Sequence, residues 1–492
     1  MVRLPPGHAG DYLGSQEETT VNRTWALAAL SLSMLLPSLA TSIVNAGLPA
    51  LAQAFGASFQ AVQWIVLAYL LAITTLIVSA GRLGDLVGRK RLLLGGIGLF
   101  TAASLLCGLA PSLGTLIAAR AAQGLGAAVM MALTVALVGE AVPKEQTGSA
   151  MGLLGTMSAI GTTLGPSLGG VLIATVGWRT IFLVNVPLGI LSFFLVRRHL
   201  PADQREPANA RPAFDAAGTA LLALALGAYA LAMTIGRGHL GPVNAGLLLA
   251  ATAFTGFFVL AERRAAAPLI RLEMFRDRVL SAGLATSALV STVMMATLVV
   301  GPFHLSRGLG LSAAAVGLAL SAGPLVAALG GVPAGRLVDR LGGNRMARAG
   351  LSGIAIGCLL LSLLPASLGL AGYLGPIVIV TAGYALFQAA NNTALMTGIR
   401  PDQRGVASGL LNLSRNLGLI TGASAMGAVF ALASASVDVT SARPEAVVTG
   451  MRFTFGLAAA LMGIALGIAK SGGPWSQGSG LVPAPPASVP AR

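Results

Sequence analysis

Gly81-Arg-Leu-Gly-Asp85-Leu-Val-Gly88-Arg-Lys-Arg91 recurs as Gly335-Arg-Leu-Val-Asp339-Arg-Leu-Gly342-Gly-Asn-Arg345, 254 residues further on. A second match joins Glu145-Gln-Thr-Gly-Ser-Ala-Met-Gly152 to Asp402-Gln-Arg-Gly-Val-Ala-Ser-Gly409, at an offset of 257. It continues in step, pairing Gly161 with Gly418 and Gly165 with Gly422. Two matches at nearly one offset make the chain two copies of one unit.

The sequence around these motifs is 55% hydrophobic and only 10% charged over 492 residues. A water-soluble domain needs far more charge to cover its surface. Apolar runs of about 20 residues recur along the length, each enough to cross a hydrocarbon core of about 30 Å as a helix. In lipid the backbone must satisfy its own hydrogen bonds, so the runs predict helices and not strands. Hydropathy places about fourteen spans. The N-terminal half holds spans near 25–48, 61–80, 92–110, 112–139, 149–174 and 179–196. An inserted pair lies near 215–236 and 242–261. The C-terminal half holds spans near 279–303, 312–333, 347–365, 371–396, 405–432 and 449–470. The expected organisation is a leader over 1–24, a six-helix half over 25–196, a linker with two extra helices over 197–278, a second six-helix half over 279–470 and a disordered tail over 471–492. Repeated halves place a shared cavity at their interface near the bilayer midplane, where one half can rock on the other.

The net charge of +15 is read as topology rather than nucleic-acid binding. Arg179, Arg237, Arg307, Arg443 and Arg452 fall in or beside one set of loops, and Arg120 and Arg415 lie inside spans. All the remaining Lys and Arg of the 31 fall in the termini or in the alternate loops. That asymmetry puts both termini in the cytoplasm of a multi-pass membrane protein. The only lysines are Lys90, Lys144 and Lys470, a bias expected of a GC-rich genome and hence of a bacterial inner membrane. Cys107 and Cys358 sit far apart in apolar segments and match no metal or disulfide pattern. The first apolar run, from about Trp25, lacks a small-residue cleavage site and is read as an uncleaved span.

Gly81 to Arg91 resembles the loop signature of the major facilitator superfamily. Arg120-Ala-Ala-Gln-Gly-Leu-Gly-Ala-Ala128 resembles its fourth-span motif. Gly161, Gly165, Pro166, Gly169 and Gly170 look like its fifth-span antiporter motif. Two six-span halves with an inserted pair match the layout of the 14-span drug:proton antiporter branch. The resemblance implies an all-α membrane protein of major facilitator fold that exports drugs, antibiotics or secondary metabolites by proton antiport. The first span departs from the branch: Leu39-Ala40-Thr41-Ser42-Ile43-Val44-Asn45 carries Ala40 where an aspartate is usual. Thr147 stands where the family often has arginine, which the repeat partner Arg404 keeps.

Several residues are candidates for mechanism. Gly81, Arg82, Asp85, Gly88 and Arg89, with Gly335, Arg336 and Asp339 as a second copy, are expected to form a cytoplasmic gate. There the glycines permit a tight turn and Asp85 accepts from a neighbouring helix N-terminus. The four-residue spacing of Gly155, Gly161, Gly165 and Gly169 lays a smooth stripe along one helix face. Arg120 and Arg415 inside spans need a cavity or a partner. Arg120 is expected to face the cavity with Asn45, Trp64, Tyr69, Gln123, Gln388, Asn391, Asn392 and Arg415; Asn412, Tyr384 and Phe387 are further wall candidates.

All sixteen Asp and Glu fall in loops, tails or span ends. Two arginines in the spans and no acid favour a neutral or anionic substrate, and leave Glu140 and His304 as proton-linked candidates. No catalytic cluster, metal site or phosphate-binding loop is present, so neither enzyme activity nor a cofactor is expected. The expected partners are a small-molecule substrate, a proton and the lipid bilayer, with no nucleic acid and a monomeric state. Uptake of a small organic anion and a non-transporting sensor or scaffold stand as alternatives.

Overall fold

The computed structural model describes residues 9–141, 147–201, 203, 215–235, 241–265, 275–398, 404–434 and 442–471. The side chains of Arg82, Asp85, Glu140, Thr147 and Arg404 and the tail from residue 472 onward lie outside the described residues, as do the expectations placed on them. Fourteen helices among the described residues are long and apolar enough to cross a membrane. The N-terminal half comprises α1 (Ala9–Phe55), α2 (Phe59–Val87), α3 (Arg89–Leu109), α4 (Leu113–Ala141), α5 (Thr147–Thr175) and a sixth span broken into α6 (Thr180–Leu183) and α7 (Asn185–His199). The inserted pair is α8 (Ala216–Thr234) and α9 (Pro242–Arg264). The C-terminal half comprises α10 (Arg278–Phe303), α11 (Ala313–Leu341), α12 (Gly343–Leu363), α13 (Gly369–Gly398), α14 (Arg404–Thr421) continuing as α15 (Gly427–Ala433), and α16 (Pro444–Ser471). The first span reaches Phe55 rather than residue 48, because α1 runs through Pro49 without breaking.

The repeat seen in sequence is a repeat of packing. Gly96 of α3 and Gly126 of α4 bring their backbones together so closely that a Cβ on Gly126 would sit 2.7 Å from the Gly96 oxygen. At the same offsets, Gly350 of α12 and Gly383 of α13 make the same contact, again 2.7 Å from oxygen to the added Cβ. Small residues are what permit such approach between helices that have no hydrophobic driving force in lipid. The quoted motifs make matching turns: α2 passes into α3 at Gly88 with φ +105°, and α11 into α12 at Gly342 with φ +86°. Both values lie in the region that favours glycine. These turns mark the motif end of the bundle; the α1–α2 turn at Gly56 marks the far end.

One turn is braced from outside the motif. Asp203, just after α7, accepts from the amide of Lys90 at 2.7 Å and of Arg91 at 3.1 Å. It thereby caps the orphan donors and the positive dipole end of α3. Gly88 leaves room for it, since a Cβ there would lie 2.5 Å from the Asp203 carboxylate. The α8–α9 hairpin docks on α2: Trp64 Nε1 donates to Thr234 Oγ1 at 3.0 Å, and Ser79 and Thr219 share a hydrogen bond at 2.8 Å.

Candidate functional site

A cavity of about 310 Å³ lies between the two halves. From the N-terminal half, α1 contributes Pro37, Ser38, Thr41, Ser42 and Asn45, with Ile73 from α2, Met131 from α4, and Thr162 and Pro166 from α5. The C-terminal half answers with Met294 and Thr297 from α10, Pro324 from α11, Tyr373, Thr381 and Tyr384 from α13, and Asn416 and Leu419 from α14. The wall is mainly apolar, with hydroxyls and amides spaced along it, and among the described residues no Asp or Glu lines it. Flexible methionines suit such a wall to ligands of varied shape. Asn45 gives its amide nitrogen to the Thr41 carbonyl at 3.3 Å; its amide oxygen is buried and has no partner among the described residues.

The fifth-helix motif joins the cavity to the contact between halves. Gly161 and Gly165 press α5 onto α1, where Ser42 Oγ donates to the Gly161 carbonyl at 3.1 Å and Ser38 and Ser158 bond at 2.7 Å. Gly169 continues the stripe over Ile43, and Pro166 lines the cavity. Gly170, on the adjoining face, meets Gly317 of α11 across the divide: a Cβ on Gly170 would lie 2.9 Å from the Gly317 Cα. The repeat partner of this contact is Gln63 of α2 against Gly427 at the start of α15. Gln63 Nε2 donates to the Ala423 carbonyl at 2.8 Å. Ala423 lies in a π turn, Gly422–Met426, which displaces carbonyls from the regular helical ladder. Phe59 closes the same end with its ring edge-on to Phe303 at 4.8 Å and to Phe430 at 5.4 Å. Among the described residues, the hydrogen bond, ring contacts and glycine contacts that join the halves all lie at the far end. The described contacts that hold the halves together therefore lie on the far side of the cavity.

The two arginines have different surroundings. Arg120 is fully buried within the N-terminal half and is not part of the cavity wall. Nε donates to the Ile65 carbonyl at 3.0 Å; Nη1 donates to Ala40 at 3.3 Å and to Gln123 Oε1 at 2.5 Å. The guanidinium stacks on the Tyr69 ring at 4.0 Å, and Gln123 donates onward to Ser104 Oγ at 2.7 Å. Carbonyls and a π face make up for the missing charge partner. Arg120, Gln123 and Tyr69 thus tie α1, α2, α3 and α4 together one layer behind the wall. Trp64 likewise lies off the wall, against α8. Arg415 instead stands one helical turn before Leu419 of the cavity wall. Its Nη2 donates to Asn392 Oδ1 at 2.8 Å and to Gln388 Oε1, and Gln388 Nε2 donates to the Tyr384 hydroxyl at 2.5 Å. Asn412, one turn before Asn416, is exposed, and Phe387 and Asn391 are buried.

His304 is buried in a second π turn, His304–Gly308, at the end of α10. Its ring lies 5.9 Å from Tyr373, which lines both the main cavity and a small pocket holding His304 and Arg452. Gly81 and Gly335 have open space around them, and Arg336 and Asp339 are exposed at the motif end. Asp203, Gln63 and the three phenylalanines carried no sequence motif. Gln63 was nonetheless within reach, because the first repeat offset sets it opposite Gly317.

Two repeated six-helix halves around a shared cavity define a membrane transporter rather than an enzyme. The chain belongs to the Major Facilitator Superfamily, whose family model matches residues 30–423. It is 34% identical over 424 residues to the multidrug resistance protein Stp of Mycobacterium tuberculosis, covering 84% of this chain and 77% of that one. It is 31% identical over 453 residues to a probable actinorhodin transporter of Streptomyces coelicolor, covering 88% and 78%. The riboflavin transporter RibZ of Clostridioides difficile is 31% identical over 407 residues, covering 82% and 88%. Among solved structures, a D-xylose-proton symporter shares the fold at TM-score 0.68 and 16% identity, over 93% of this chain and 99% of that one. An inward-facing, unoccupied bacterial homologue of the lysosomal transporter Spinster matches at TM-score 0.66 and 16% identity, over 91% and 96%.

Proposed function

We propose that the chain exports small amphiphilic compounds, drugs or secondary metabolites, from the cytoplasm by alternating access, in exchange for protons. The observation that carries this is the cavity: it is built by both halves, mainly apolar with scattered hydroxyls and amides, and bridged at its far end by the hydrogen bond from Gln63 to Ala423. Rocking the halves about it exchanges which end is open. The multidrug resistance and actinorhodin relatives support export of such amphiphiles; the riboflavin transporter gives weaker support to the alternative, uptake or facilitated transport of a small organic anion.

The positive loops support a motif end facing the cytoplasm of a bacterial inner membrane, with both termini inside. On that orientation the contacts between the halves hold the outer side together, as an exporter loading its substrate from the cytoplasm requires. We assign the proton-linked role to His304, on the ground that its pocket and the cavity share Tyr373 as a lining residue. The protein works as a monomer, because the pathway is complete within one chain.

The test is expression in a bacterial strain lacking its own efflux pumps, challenged with a chemically diverse compound panel. Raised resistance to a subset of amphiphiles is expected, with lower cell accumulation that nigericin abolishes by collapsing the pH gradient. Unchanged susceptibility across the panel, with the protein verified in the membrane, contradicts the reading.

A further inference from the structure

We infer that Arg415 is the charge-recognising residue of the pathway, and that the substrates carry a delocalised acidic group, a carboxylate or an ionised phenol, that docks on its guanidinium. This rests on the export reading of the same cavity.

The placement comes from two helix stripes. On α13 the wall residues Tyr373, Ile377, Thr381 and Tyr384 recur three or four residues apart, and Gln388 and Asn392 continue that face toward the motif end. On α14, Leu419 lines the cavity and Arg415 lies one turn nearer the motif end on the same face. The two stripes meet where Arg415 Nη2 donates to both Gln388 and Asn392. The cluster adjoins the cavity on its motif-end side, one helical turn beyond the lining residues Tyr384 and Leu419.

Its chemistry is incomplete without an anion. Both partners of Nη2 are neutral amides, which orient a guanidinium but do not neutralise it. Arg415 Nε is buried with no hydrogen-bond partner among the described residues. Among the described residues no Asp or Glu lines the adjoining cavity. A cation at membrane depth is costly and calls for a partner, and the planar fork of arginine matches a carboxylate or phenolate better than it matches a neutral ligand. Arg120 does not compete for that role. Its Nε and Nη1 already serve Ile65, Ala40 and Gln123, and its plane stacks on Tyr69. Its Nη2 also has no partner among the described residues, but the whole side chain is sealed inside the N-terminal half, whereas Arg415 is only partly buried. The cavity mouth therefore attracts acidic amphiphiles and repels lipophilic cations.

Fluorescein and rhodamine 6G share a xanthene core and differ in charge, so they isolate this property. Everted vesicles from expressing cells should accumulate fluorescein faster than rhodamine 6G. Arg415→Gln should slow fluorescein transport by about ten- to a hundredfold, the worth of one hydrogen bond to a charged group, while rhodamine uptake holds or rises. Arg415→Lys should retain part of the fluorescein transport, which separates loss of charge from loss of folding; membrane abundance of each variant is measured alongside. Fluorescein transport unchanged in Arg415→Gln overturns the proposal, and so does a wild-type protein that moves rhodamine 6G and rejects fluorescein; in both cases the export reading stands. If the wild type moves neither dye and binds neither by fluorescence polarisation, the proposal falls, and the export reading is decided separately by the compound panel.

Discussion

Gln63 of α2 donates to the carbonyl of Ala423 at 2.8 Å, and this is a hydrogen bond between the two halves of the protein. It exists because a π turn at Gly422–Met426 presents the carbonyl and because Gly427 leaves space for the Gln63 amide. The equivalent position in the other half of the repeat is the bare Gly170–Gly317 contact. The far end is thus held by one polar latch and one steric seam, with the Phe59, Phe303 and Phe430 rings between them.

Replacing Gln63 with Leu removes the latch while keeping the bulk. The closed far end should lose about 0.5–1.5 kcal/mol, the net worth of one hydrogen bond. That shifts the open population by roughly two- to tenfold. Double electron–electron resonance between spin labels at Ala57 and Ala442, one in each half at the far end, reads the shift as growth of a longer-distance peak. An unchanged distance distribution removes Gln63 from the gate.

Arg120 is expected to matter for stability and not for substrate charge. Arg120→Leu strands the Gln123 amide and the Ile65 and Ala40 carbonyls, at about 1–3 kcal/mol for each group left unsatisfied. A clearly lowered melting temperature in detergent is the expected result, with an unaltered fluorescein-to-rhodamine transport ratio in whatever protein folds. A stable Arg120→Leu variant with inverted dye preference reverses the roles assigned to the two arginines.

Sidedness has its own check. An impermeant maleimide applied to intact cells should reach a cysteine placed at Ala442 and miss one placed at Ala208. Native Cys107 and Cys358 are both fully buried and give little background. Labelling at Ala208 alone inverts the topology.

The architecture was legible in the sequence because membrane spans announce themselves by length and apolarity, and because glycine at a helix crossing has few substitutes. The pairs Gly161/Gly418 and Gly165/Gly422, matched by offset, do the same job in each half: Gly161 and Gly165 seat α5 on α1, and Gly418 and Gly422 seat α14 on α10. The surroundings of a polar side chain were less legible. Depth along a helix says that Arg120 needs partners, but not that backbone carbonyls of α1 and α2 supply them, since any sequence provides carbonyls. Likewise Asp203 gave no hint that it caps α3, because the cap is made across more than a hundred residues of chain. The far-end rings were hidden for a similar reason: Phe59, Phe303 and Phe430 come from three separate spans.

The central claim is that substrate crosses between the halves and that the far end must part for it to leave. Phe59→Cys and Phe303→Cys, in a background with Cys107 and Cys358 replaced by Ala, can be joined by a short bifunctional methanethiosulfonate. Transport by the cross-linked protein in proteoliposomes should fall to the level of empty vesicles and return when dithiothreitol cuts the bridge. Full-rate transport with the bridge verified intact by mass spectrometry would contradict alternating access through this cavity.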